Sequence, residues 1–313
     1  MFDVTALGEI LIDFTVCGRS ESGQQLFEQN PGGAPANVLT CLGKLGKRTA
    51  FIGKIGKDMH GEFLKSVLLE NAINIDGLVE DEEVFTTLAF VGLSESGERN
   101  FSFARKPGAD TCLKEDELSE DIIKNSKVFH IGSLSLTDEP SKSATFKALS
   151  IARENGCVIS YDPNYRKPLW KDRGSAIEGM RSVLPYVDIM KLSDEETELL
   201  TGLSEPEMAA DKLIEAGVKI VAVTMGEKGA LICTGKGKEY VKGYKAKLVD
   251  TTGAGDAYTG YFFTNLCEGT SVYTAMKRAS LAAGITVSRA GAANSIPSSE
   301  ELESFLNEFH SGV

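Results

Sequence analysis

The sequence predicts an α/β fold: a mainly parallel sheet covered by helices on both faces, with a small second sheet over one end. Three observations carry this. Short β-branched runs alternate with longer helical patterns along most of the chain, the rhythm of βαβ units. That rhythm breaks twice, into extended segments with a turn signal and no helix. At 313 residues, 42% of them hydrophobic, the chain is long enough to bury a full core as one large domain over 1–313.

Taken in order, Met1-Phe2-Asp3-Val4 enters a strand-like segment at once, with no basic, apolar and small-residue pattern of a signal peptide. An extended segment from Gly18 to Asn30 follows, then helical "LTCLGKLG" and strand-like "TAFIGKIG". The run "EDEE" at Glu80 to Glu83 reads as a solvated loop, and "TTLAFVGLSESGERNFSFAR" as a hairpin turning at Ser96-Gly97. Val128 to Ile131, Ala144 to Asn155 and Cys157 to Tyr161 form a strand, helix and strand. "MAADKLIEAGV" and "KIVAVTM" repeat the unit, and "SSEELESFLNEF", capped by Ser298 or Ser299, closes the chain with an amphipathic helix. Hairpins do not join a parallel core as crossovers do. The two extended segments, about 15–30 and 86–106, are therefore expected to form a lid sheet over the C-terminal strand ends, where open α/β sheets bind ligands.

A net charge of -12 argues against binding nucleic acid or an anionic membrane, and no apolar run reaches spanning length. The expectation is a cytoplasmic protein. Six scattered cysteines without a C-x-x-C pair read as buried reduced thiols, and His60, His130 and His310 as core or surface residues.

Chemistry concentrates in two glycine-rich stretches. "DTTGAGDAYTGYFF", from Asp250 to Phe263, lacks the Gly-Lys-Ser/Thr end of a Walker loop and the third glycine of a dinucleotide fingerprint. What remains is a loop converging backbone N–H groups at a helix start near Ala254, with Tyr258, Phe262 and Leu266 on the buried side. This is an anion site made without a basic side chain. Asp256 beside it serves either as a base in phosphoryl transfer or only as a favourable first-turn charge. In "PGGAPANV", from Pro31 to Val38, the glycines admit a ligand to the backbone, and Asn37 can donate to and accept from a sugar hydroxyl; a plain turn with a helix cap is the alternative.

"PGGAPANVLTCLGKLGKRTAFIGKIGKDMHG" and "DTTGAGDAYTGYFF", in this order and separation, resemble the two signatures of the PfkB, or ribokinase-like, carbohydrate kinases. "GEILIDF", "FSFARKPGAD", "DPNYRKPLW" and "KLSDEE" extend the resemblance and look most like the fructokinase branch.

The resemblance implies a ribokinase-like three-layer sandwich with a β-sheet lid, and ATP and magnesium as cofactors. Gly253, Ala254 and Gly255 would form the anion hole, and Asp256 the base. Asp13, Gly32, Gly33 and Asn37 would hold the sugar, with Arg105 and Arg166 at substrate or phosphates. Ser193 and Glu196 stand where the family carries Asn-x-x-Glu; Glu196 would reach magnesium through water. Thr224, Gly226 and Gly229 would lie near ribose and phosphate, and Ala283 and Asn294 near adenine. Asp250, Thr252, Thr286, Arg289, Gly291 and Ser295 match a monovalent-cation site, so potassium activation is expected.

D-Fructose is the first-choice substrate. 2-Keto-3-deoxygluconate is the rival, its carboxylate met by Arg105 or Arg166; ribose ranks lower, and a sugar-responsive binding module without turnover is the non-enzymatic alternative. The lid's sheet edges could pair two subunits into a homodimer.

Overall fold

The computed structural model describes residues 1–93, 99–244, 246–289, 291 and 295–311, with side chains described outside 93–101 and 307–311. From the N-terminus, β1 (Phe2–Leu7) leads into β2 (Leu11–Arg19), β3 (Gln25–Gly32), α1 (Ala34–Lys44), β4 (Thr49–Gly56), α2 (Met59–Glu70) and β5 (Ile73–Asp81). A second hairpin, β6 (Leu88–Leu93) and β7 (Arg99–Ala104), precedes α3 (Glu120–Lys124), β8 (Ser126–Ile131), α4 (Ser141–Glu154) and β9 (Val158–Tyr161). Then follow α5 (Arg173–Ser182), β10 (Ile189–Ser193), α6 (Asp194–Thr201), α7 (Pro206–Glu215), β11 (Ile220–Thr224), β12 (Ala230–Thr234) and β13 (Gly237–Val241). The chain ends in α8 (Ala254–Cys267), α9 (Val272–Thr286) and α10 (Ser299–Ser311).

Among the described residues nine strands make the main sheet, in the order β13-β12-β11-β10-β9-β8-β1-β4-β5. It is parallel from β11 to β5, and β12 and β13 add an antiparallel edge. Helices α4, α5 and α7 cover one face over Phe129, Tyr161 and Met190, while α1, α2, α8 and α9 cover the other over Val4, Ala6 and Phe51. Each large side chain buried this way contributes on the order of 2 kcal/mol. The expected three layers are present.

The lid is a separate four-stranded sheet, β3-β2-β6-β7. Its two hairpins are antiparallel inside and joined by parallel β2 and β6. It begins at Leu11 and not near residue 15, because Leu11 pairs with Gly32 and Asp13 with Asn30. The Ser96-Gly97 turn lies outside the described residues.

Two smaller expectations are corrected. "EDEE" is a solvated loop only in its second half: Glu82 and Glu83 are exposed beyond β5, whereas Glu80 and Asp81 end that strand and pair with Lys65 and Lys54. All six cysteines are free, but only Cys41, Cys157 and Cys233 are buried, and Cys17 is exposed on a lid strand. His130 is core, hydrogen-bonded to Ser160, and burial drives its imidazole down to about 3, so it is neutral. No helix among the described residues is long and apolar enough to cross a membrane.

Candidate active site

Helix α8 starts at Ala254, as its sequence predicts. Gly253 before it has φ 78°, a left-handed conformation that glycine adopts at no steric cost, and no side chain caps the helix. The Ala254 amide donates to the Thr251 carbonyl at 3.4 Å, and the amides that follow it in the first turn have no intrahelical partner and can meet an anion. Tyr258 and Phe262 anchor the helix in the core, each 2% exposed, and fix the direction of that terminus.

Asp256 sits in the first turn and is buried. Asn37 Nδ2 donates to its Oδ2 at 2.8 Å. One helical turn further along each helix stand Cys41 and Gly260, and a Cβ on Gly260 would meet Cys41 Sγ at 2.6 Å. Only glycine permits this approach of α1 and α8, and the approach brings Asn37 to Asp256. Burial pushes the Asp256 carboxyl up to about 6; the Asn37 bond opposes this, Asp162 adds to it, and Lys191 and Arg166 subtract.

The expectation of an anion site without a basic side chain is overturned. Lys191, on β10, stands so close to the α8 terminus that a Cβ on Gly255 would lie 2.8 Å from its Nζ. It pairs with Asp162 Oδ2 at 3.0 Å. Burial alone would lower the Lys191 pKa, but Asp162, Glu196 and Asp256 outweigh it and hold the ammonium above its ordinary value. Asp162 Oδ1 is buried without a hydrogen-bond partner among the described residues.

Glu196 is buried in the first turn of α6. Its Oε2 accepts from the Ser193 amide at 2.8 Å and hydroxyl at 3.0 Å, while Oε1 accepts from the Tyr165 amide at 2.7 Å. Ser193 to Glu196 is thus a capping box, a sequence-legible reason for serine where the family carries asparagine. Glu196 also fixes the turn holding Asn164, whose φ is 45°.

Two cavities, about 420 and 410 Å³, flank the α8 terminus and share Thr251 and Gly255 in their walls. The first is lined by Thr224, Gly226, Gly229, Ala283, Ala254 and Tyr258 among others. The second holds Asp13, Gly33, Asn37, Arg166, Asp256 and Gly253, and its wall also includes Ser193, Glu196, Lys191 and Glu9. Thr224, Gly226, Gly229 and Ala283 therefore share one chamber and Asp13, Gly33, Asn37 and Arg166 the adjoining one, in which Ser193 also lies, while Gly32 lines neither. Gly32 stands behind Asp13: a Cβ there would lie 2.3 Å from Asp13 Oδ2.

Arg105, expected at the substrate, lines neither cavity. A guanidinium buried in an acidic chain takes an acid, and here Asp110 Oδ2 receives it at 2.7 Å, with Thr137 and the Leu134 carbonyl at 2.9 Å. Asn294 lies outside the described residues. Asp250 braces its loop by accepting from Thr252 N at 2.7 Å and Gly291 N at 3.2 Å. Thr286 and Ser295 are buried, whereas the Arg289 side chain pairs with Glu301.

Glu9, Asp162 and Lys191 were not singled out from sequence. Each lies inside a quoted motif, but the meeting of Lys191 with Gly255 is a tertiary contact that no spacing encodes.

Residues 1–299 match the model of the pfkB family carbohydrate kinases. Fructokinase-2 of Solanum habrochaites is 40% identical over 313 residues, covering 97% of this chain and 95% of that one. The structure of fructokinase from Vibrio cholerae O395, in fructose, ADP and calcium ion bound form, has a TM-score of 0.88 at 31% identity, covering 97% of this chain and 99% of that one. Fructokinase with bound ATP from Xylella fastidiosa has a TM-score of 0.89 at 28% identity, covering 98% and 99%.

Proposed function

The chain belongs to the pfkB family of carbohydrate kinases, and from that premise we propose that it transfers the γ-phosphoryl group of ATP to the primary hydroxyl of D-fructose, giving fructose 6-phosphate and ADP. The observation that carries this reading is the wall common to the two cavities: an uncapped helix terminus with Asp256 on its acceptor side. The fructose named for the Vibrio cholerae relative supports the choice of acceptor.

In this reading ATP occupies the chamber of Thr224, Gly226, Gly229 and Ala283, with its phosphates toward Gly253, Ala254 and Gly255. The sugar lies against Asp13, Gly32, Gly33, Asn37 and Arg166. Asp256 takes the proton of the attacking hydroxyl as the new O–P bond forms. The bond from the γ-phosphorus to the bridging oxygen breaks, and its electrons leave with ADP. Lys191 and the first-turn amides of α8 balance the negative charge, a task carried by electrostatics prearranged in a dry site.

The donor set suits magnesium held mainly by water and by the nucleotide. Among the described residues no three acidic, cysteine or histidine side chains form a cage, while Glu196 and the unpartnered Asp162 Oδ1 flank Lys191. Bound there, magnesium would neutralise phosphate charge. Potassium near Asp250, Thr252, Thr286, Arg289, Gly291 and Ser295 is part of the proposal; a rate unchanged by a bulky organic cation in its place would remove it.

Arg105 is engaged by Asp110, and Arg166 stands in the acceptor wall with Glu9, Asp13 and Asp256, so the choice of a neutral sugar over 2-keto-3-deoxygluconate rests on the fructose named for the Vibrio cholerae relative. The proposed enzyme is cytoplasmic, and dimerises through the lid, where Leu26, Phe27 and Phe90 are exposed. Light scattering tests the dimer. Magnesium-dependent ADP release with fructose, 2-keto-3-deoxygluconate, ribose and a nucleoside tests the activity. Fructose-dependent release lost in Asp256→Asn is expected. Preference for the keto acid would change the substrate, and tight sugar binding without release would leave a binding module.

A further inference from the structure

We propose that Glu9 recognises the acceptor: its carboxyl accepts a sugar hydroxyl other than the one phosphorylated, through an oxygen that the fold leaves without a partner. This rests on the fructose-kinase reading above. Glu9 follows β1 directly, is 2% exposed and contributes to the acceptor cavity with Asp13, Asn37 and Asp256.

Its two oxygens have different fates. Oε1 accepts from the Ala34 amide at 3.0 Å, supplying to α1 the cap that Gly33 cannot provide. Oε2 is buried and has no hydrogen-bond partner among the described residues. Leaving a buried acceptor unpaired is costly, and more so when it is charged, so such an oxygen, on a residue that lines the cavity, marks a place for a donor.

Residue 132, beside Oε2, is glycine and brings no side chain there. A Cβ there would lie 3.8 Å from Glu9 Oε2, 3.8 Å from the Asp162 carbonyl and 3.6 Å from Pro35 Cγ. The recess thus presents two acceptors and an apolar ring. A hydroxyl complements it, since it donates; the carboxylate of a sugar acid offers no proton and would be repelled by the ionised form of Glu9. Burial pushes the Glu9 carboxyl up to about 7, Asp110 adds to this, and its own amide, Arg105 and the Ala34 amide oppose it. A hydroxyl donating to Oε2 would favour the ionised form against that burial.

The test uses two variants of the full chain. In Glu9→Gln the amide oxygen keeps the bond to Ala34, and an NH2 replaces the accepting oxygen. Gly132→Ala fills the recess with a methyl at ordinary contact distance and leaves the charge unchanged. A hydrogen bond to a charged group corresponds to roughly tenfold or more in affinity. Each variant should raise the KM for fructose about tenfold or more, with kcat within about threefold of wild type. Among mono-deoxy fructoses, one should show a similar rise in wild type and no further rise in Glu9→Gln, which a purely structural role would not produce.

An unchanged fructose KM in both variants would overturn the proposal and leave a fixed water as the recess's occupant. A fall in kcat alone, or losses identical for every deoxy sugar, would overturn it too. Failure of the wild type to phosphorylate fructose would instead refute the underlying kinase assignment, before any variant is compared.

Discussion

Asn37 and Asp256, 219 positions apart in sequence, meet through a 2.8 Å hydrogen bond from Asn37 Nδ2 to Asp256 Oδ2. The bond joins the first turns of two helices, so the glycine-rich stretches at Pro31 and Asp250 become one site. Asp256→Asn should keep this geometry, because an amide oxygen also accepts, and lose the base. Turnover should fall at least about a hundredfold, read as ADP release; a variant retaining most of its rate would sink the assignment.

The same substitution should stabilise the fold. The Asp256 carboxyl rises from an ordinary 3.8 to about 6 in the folded chain, so the native state holds this proton more tightly than the unfolded one. Wild type therefore loses stability as pH climbs from about 4 to about 6, and Asp256→Asn does not. Its advantage should grow across that window and level off above it, at most about 3 kcal/mol. Denaturant midpoints at pH 4 and pH 7.5 measure it, and equal differences at both would contradict the burial argument.

Activity has the opposite slope. A base must be ionised, so kcat/KM for fructose should rise with pH through about 6, rise again through about 7 where Glu9 ionises, and then flatten. Lys191, held above its ordinary value, stays charged across this range. A profile flat from pH 5 to pH 8 would mean that proton removal by Asp256 does not limit the reaction.

Gly260→Ala should act on catalysis without touching a substrate. Its Cβ would stand 2.6 Å from Cys41 Sγ and 2.7 Å from Cys41 Cβ, forcing α1 and α8 apart and drawing Asn37 from Asp256. Overpacking of this kind costs about 1–3 kcal/mol. We expect lower thermal stability and a kcat reduced about tenfold or more, both partly restored by Cys41→Gly in the same chain. Wild-type kinetics in Gly260→Ala would mean that the crossing does not position the base.

Lys191→Met separates structure from chemistry. It leaves Asp162 buried and unpaired, and breaking a buried pair from one side costs about 3–5 kcal/mol. Adding Asp162→Asn should recover the melting temperature. It should not recover kcat/KM for ATP, expected to fall about a hundredfold if the ammonium balances phosphate charge. A double variant as active as wild type would remove Lys191 from the phosphate site.

Much of this was legible in sequence because it is local. The βαβ rhythm is written in side-chain period, and the α8 start in small residues before an apolar run. The Ser193–Glu196 capping box is equally local, its Ser-x-x-Glu spacing standing where the family pattern carries asparagine. Arg105 was placed at the substrate on a motif, and the fold gives it Asp110 instead, five residues further on.

By itself the sequence determined the layers, the lid's two hairpins, the helix terminus beside Asp256 and the family, since each depends on residues close along the chain. Tertiary structure alone decided that Lys191 stands at that terminus, that Gly260 and Cys41 bring Asn37 to the acid, and that Glu9 keeps one oxygen unpaired. The physical reason is range. Hydrogen bonding and periodicity act over a few residues, whereas desolvation and Coulomb interaction depend on which distant groups close packing brings together.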